Sequence, residues 1–138
     1  MDNANYAAGL SEFSYCASLH VSHPTLDPEE ITANLQIEPS RTSRVGQTHH
    51  SVPGRVYGFS HWSCKLPVKD GVDIPTFLGQ LVTQLSQHRD YLHHLSDDGG
   101  EIECFVGVFP DRQCDQLYPH KLLAMLADLR VNLRLGSV

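Results

Sequence analysis

Between residues 13 and 22 the chain alternates without a break. Phe13, Tyr15, Ala17, Leu19 and Val21 are apolar or aromatic, and Ser14, Cys16, Ser18, His20 and Ser22 between them are small or polar. Successive side chains of a strand point to opposite faces, so a period of two describes a sheet with one buried face and one polar face. A helix cannot use this pattern, because its apolar positions recur every three to four residues. The rest of the chain must therefore cover one face of a sheet and leave the other.

The cover is legible as helical stretches. Asp27 can cap the free amides of a helix start, Pro28 suits the first helical position, and Glu30 stands at capping-box spacing. Ile31 and Leu35 then share a face, predicting a short helix to about Gln36 that Pro39 helps to stop. Residues 75–96 place Leu78, Leu81, Val82, Leu85, Leu92 and Leu95 in one stripe and read as a single long helix. At about 1.5 Å per residue such a helix is roughly 33 Å long, the width of a domain. Asp97-Asp98-Gly99-Gly100 ends it, and Pro119 opens a third helix carrying Leu122, Leu123, Leu126 and Leu129.

Three more strands are predicted. In residues 56–66, Trp62, Cys64 and Leu66 share one face, and Tyr57, Phe59 and His61 the other. In residues 101–109, Ile102, Cys104, Val106 and Val108 face one way while Phe105, Gly107 and Phe109 face the other, as in a central strand with apolar groups on both sides. Val131, Leu133 and Leu135 form the last strand. Residues 40–55 have no apolar period and read as a long connection, a kind of segment that is frequently functional. The expected architecture is α+β: a ferredoxin-like sandwich with a mostly antiparallel four-stranded sheet and helices packed on one face. Residues 1–12 are expected to be a flexible tail, and 13–138 a single α+β domain.

The order and spacing of certain segments resemble a bacterial family catalogued as domain of unknown function 4279. These are Leu26-Asp-Pro-Glu-Glu-Ile-Thr, Leu35-Gln-Ile-Glu-Pro-Ser-Arg, Arg44-Val-Gly, Trp62-Ser63, the leucines from Leu81 to Leu95, and Val106-Gly-Val-Phe. The resemblance runs from about residue 13 through the final Leu-rich helix and strand. It implies a small bacterial cytoplasmic domain and brings no established activity and no catalytic residues. Two departures stand out: residues 133–138 lack an acidic and aromatic ending, and residues 47–55 are richer in histidine.

The net charge of −6 opposes nucleic-acid binding, which needs a basic face to neutralise phosphates. No apolar run approaches the ~20 residues of a membrane span, and the N-terminus lacks the basic-then-apolar layout of a signal peptide. A cytoplasmic protein without membrane contact is expected, with Cys16, Cys64, Cys104 and Cys114 as free thiols. Nine histidines raise the question of metal. His61 and Cys64 are three apart on a strand and point to opposite faces, and no pair among His88, His93 and His94 has the i, i+4 spacing of a helical metal site, so neither metal nor other cofactor is expected. No Gly-x-Ser-x-Gly elbow or glycine-rich phosphate cradle is present, and Glu29/Glu30, Asp97/Asp98 and Glu101/Glu103 read as helix-start, turn and strand-edge charges.

The strongest candidate binding surface is Arg41, Arg44, Arg55, His61 and Trp62, since arginine forks suit carboxylates or phosphates and a tryptophan supplies a stacking face. The competing reading places Trp62 in the core and leaves the arginines solvated. Phe105 and Phe109, with Ser14 and Ser18 beside them, are expected on the open sheet face, where a second copy of the chain or residues 41–55 would cover them. Two classes of function follow. One is a non-enzymatic binding or protein-interaction domain, with a homodimer or an unidentified protein as partner. The other is a domain that binds or transforms a small anionic ligand through Arg41, Arg44, His61 and Trp62.

Overall fold

The computed structural model describes residues 15–49, 51–109 and 115–138. The alternating segment forms β1 (Tyr15–His23), in which Tyr15, Ala17, Leu19, Val21 and His23 are buried while Cys16 and His20 are exposed. Helix α1 (Pro28–Leu35) follows, its Asp27 cap accepting the Glu29 amide at 3.0 Å, and Gln36 in the left-handed region ends it. The chain continues through β2 (Arg41–Ser43), β3 (Ser60–Leu66), α2 (Ile74–Ser86), α3 (Arg89–Asp97), β4 (Glu101–Val108), α4 (His120–Asp128) and β5 (Val131–Ser137).

The sheet order is β2-β3-β1-β4-β5, antiparallel throughout except that β5 runs parallel to β4. Among the described residues the sheet is therefore five-stranded and mixed, and the helices are four, where the sequence pattern led to a mostly antiparallel four-stranded sheet with three helices. Both strand differences have local causes. A strand as short as Arg41–Ser43 carries no readable period; it is held by Ser40, whose amide donates to the Ser63 carbonyl at 2.7 Å and whose Oγ accepts the Lys65 amide at 2.8 Å. β5 is parallel because α4 carries the chain back along the sheet, the crossover that a parallel neighbour requires.

The stretch at 75–96 is likewise not one helix. It breaks at Gln87-His88 into α2 and α3. Leu85 and Leu92 are seven apart and stay in phase across the break, which is why the stripe reads as continuous. At the break Ser86 Oγ donates to the Val82 carbonyl at 2.7 Å, and Gln87 Nε2 donates to the Gln84 carbonyl at 3.0 Å. Such back-bonding bends helices. The Arg89 guanidinium then holds Asp128 at the end of α4 through two bonds of 2.8 and 3.0 Å. The strand expected at 56–66 begins only at Ser60, because Val56 bridges back to Thr48 and closes residues 44–59 into an excursion of their own.

The core lies between the sheet and the helices. Leu19, Val21, Trp62, Ile102, Cys104 and Val106 of the sheet meet Leu35, Leu78, Leu85, Leu92 and Leu126. Trp62 is 1% exposed and its Nε1 donates to Thr32 Oγ1 of α1 at 2.9 Å, so the ring's polar atom is satisfied inside the core. No helix among the described residues is long and apolar enough to cross a membrane.

At the end of β1, His23 is 1% exposed. Its Nδ1 accepts the amides of Thr25 and Leu26 at 3.1 and 2.9 Å. Those donors settle the neutral tautomer, because Nδ1 must be bare and Nε2 must carry the proton that goes to Asp98 Oδ2 at 3.0 Å. A β-carbon on Gly100 would stand 2.8 Å from the Leu95 carbonyl and 3.1 Å from the His23 ring, so the turn into β4 needs glycine there. His23→Ala removes the buried acceptor of two loop amides and leaves a void, and is expected to cost about 2–4 kcal/mol in denaturant unfolding.

Two tyrosines make stability sensitive to alkali. Burial, and then the charge of Asp73, pushes the Tyr15 hydroxyl up to about 12; burial, and then Glu30, does the same for Tyr91. The folded state favours the neutral phenols, so their contribution is full below the ordinary value near 10 and is lost as pH rises through about 12. Ultraviolet titration is expected to show these two ionising near pH 12 rather than near 10, together with the loss of circular dichroism.

Candidate functional site

Strand register converts the polar halves of the strands into rows across the open face. Ser43, His61, Ser22 and Glu101 stand side by side in one row. Arg41, Ser63, His20, Glu103 and Asn132 form the next. Lys65, Ser18, Phe105 and Arg134 form a third. The 44–59 excursion flanks the first row, with the Tyr57 ring 4.8 Å from His49 and 6.3 Å from His61 between centroids. Together these surfaces enclose an open cleft of about 590 Å³, within the usual range for small-ligand sites.

The charges of the cleft are unevenly satisfied. Arg134 Nε donates to Glu103 Oε1 at 2.9 Å, and Ser18 Oγ and His20 Nε2 are hydrogen-bonded at 2.7 Å. Among the described residues the side chains of Arg41 and Glu101 have neither a hydrogen bond nor an ion pair, although both line the cleft. No three His, Cys, Asp or Glu side chains converge as metal ligands among the described residues. Burial, with Glu103 adding to it, pushes the Cys104 thiol up to about 12, and burial also raises Cys64, so neither is a nucleophile near neutral pH.

The residues singled out from sequence divide between the two sides of the sheet. Arg41 and His61 lie on the open face and line the cleft. Trp62, next to His61, turns its ring into the core. Arg44 is drawn to the start of α1, its Nη2 3.0 Å from Glu29 Oε1 and 3.4 Å from Asp27 Oδ1. Arg55 is exposed near the tip of the excursion, where its carbonyl accepts the His49 amide at 2.7 Å. Phe105 and Ser18 are half-buried on the open face, Phe109 is half-buried just past β4, and Ser14 and Cys114 lie outside the described residues. The Phe105 ring is laid over glycines: a β-carbon at Gly107 would stand 3.0 Å from it and one at Gly136 3.1 Å. An aromatic side chain covering neighbouring strand glycines gives the ring packing within its own sheet.

The sequence reading passed over His20, Glu101 and Tyr57 as members of the site. Their alternation placed His20 on the polar face, but only register shows which strands adjoin it.

The family model described as Domain of unknown function (DUF4279) matches residues 11–135. The chain belongs to this family. No curated protein and no solved structure matches it. In this DUF4279 chain the segments that carry the resemblance serve both sides: Asp27 and Glu29 hold Arg44 and Thr32 holds Trp62, while Arg41 and Ser63 line the cleft. The DUF4279 cleft draws its side chains from the other face of the same strands.

Proposed function

We propose that this chain is a non-enzymatic binding domain whose working surface is the open sheet face, where Arg41, with His61 beside it, takes an anionic group of a small ligand. The observation that carries this reading is the unengaged Arg41 guanidinium at the rim of a cleft of about 590 Å³. A guanidinium presents paired donors that match a carboxylate or phosphate. Two finer assignments belong to the same proposal. The order β1-α1-β2-β3-helix-β4, with β2-β3-β1-β4 in space, supports a ferredoxin-like unit extended by α4 and β5. A bacterial cytoplasmic setting is supported by the resemblance and by the free thiols of Cys16, Cys64 and Cys104.

Titrating the labelled protein with acetate and inorganic phosphate, followed by amide chemical shifts, tests the reading. Saturable shifts are expected around His20, His61 and Ser63. Arg41→Gln is expected to weaken binding at least about tenfold, the loss of one charge-assisted contact. Arg44→Gln, outside the cleft, is expected to leave binding unchanged and to lower stability by less than about 1 kcal/mol. Anion binding that survives Arg41→Gln unaltered would overturn the reading.

Self-association through the same face is the second reading, favoured by the half-buried Phe105 ring with Ser18 beside it. It assigns the interface to Phe105, Phe109, Ser14 and Ser18, and it would close the cleft against a second copy. Sedimentation across micromolar concentrations distinguishes the two: a monomer mass throughout rejects the homodimer, and Phe105→Ser is then expected to reduce stability without altering assembly.

A further inference from the structure

The cleft has a second unengaged charge, and it is of opposite sign. Arg41 lies on β2 and Glu101 on β4, with β3 and β1 between them. Three interstrand steps of about 4.8 Å and an offset of two residues along the strands, about 6.7 Å, separate their backbones by roughly 16 Å. That exceeds the screening length of about 8 Å at physiological salt, so the two charges scarcely neutralise each other. The remaining ionic pair of the lining, Arg134 with Glu103, is closed on itself at 2.9 Å. The floor between the rims is made of Ser63, His61, Ser22 and His20, hydroxyls and imidazoles able to donate and accept.

We propose that the ligand is a zwitterion, its carboxylate on Arg41 and its ammonium on Glu101, with the charges roughly 7–14 Å apart, the span of an extended peptide of two to four residues at about 3.3–3.6 Å each. This rests on the anion-binding reading of Arg41 and adds the opposite rim to it. A short peptide also suits the floor, because its amides and carbonyls meet hydroxyls and imidazoles along the whole span. The −6 net charge of the chain does not work against such a ligand, whose own net charge is zero.

Isosteric probes separate the two ends. Triglycine, N-acetyl-triglycine and triglycine amide are titrated calorimetrically into the full chain, with acetate as the anion control. Triglycine is expected to bind at least about tenfold tighter than the acetylated form, which lacks the ammonium. Glu101→Gln is expected to abolish that preference while leaving the acetylated form's affinity unchanged. Arg41→Gln is expected to weaken triglycine and its acetylated form but not the amide. Both side chains are exposed and without partners among the described residues, and circular dichroism checks that each variant folds. Equal affinity for triglycine and N-acetyl-triglycine, or binding of acetate with no binding of any triglycine form, overturns the zwitterion while the anion reading stands. Failure of every carboxylate to bind overturns both.

Discussion

β1 is hydrogen-bonded on both sides, to β3 and to β4, over nearly its whole length. A strand in that position has no free edge, so each of its side chains must belong to one face or the other. The apolar half of β1 meets the helices, and the polar half is left toward solvent. Everything lateral follows from this one strand. Its partners inherit its register, the helices have one face to cover, and the polar residues of five strands are brought into rows that no single segment contains. A one-residue slip of β1 would exchange the faces and put His20 and Ser22 into the core.

The two faces have different duties. On the covered side, Trp62 ties β3 to α1 through Thr32, and Arg44 ties the 44–59 excursion to the acidic start of the same helix. The Arg44 contacts lie where the excursion leaves the sheet. On the open side, the same strand and excursion present His61, His49 and Tyr57 to the cleft. Residues that look like one cluster in sequence, His61 with Trp62 and Arg41 with Arg44, are therefore divided between building the site and forming it.

That division marks how far the sequence could be read. Alternation alone was enough for the faces of β1 and β4, and the Asp27-Pro28 pair was enough for the start of α1. It was not enough for β2, where three residues carry no period, nor for the break at Gln87-His88, across which the apolar stripe stays in phase. The cleft was half visible: Arg41 and His61 stood out by residue type. Glu101 entered only through its alignment with Ser22, a non-local pairing that spacing along the chain does not encode.

His23 links these regions in another way. Its ring sits between the loop that follows β1 and the turn that precedes Glu101, accepting two loop amides on one nitrogen and meeting Asp98 with the other. Loop amides ordinarily exchange their hydrogens with solvent through small local motions, well below the free energy of global unfolding. The Thr25 and Leu26 amides instead donate to the last side chain of β1, which is 1% exposed. Breaking those bonds displaces a buried ring, so these two positions outside any helix or strand are expected to exchange more slowly than ordinary loop amides.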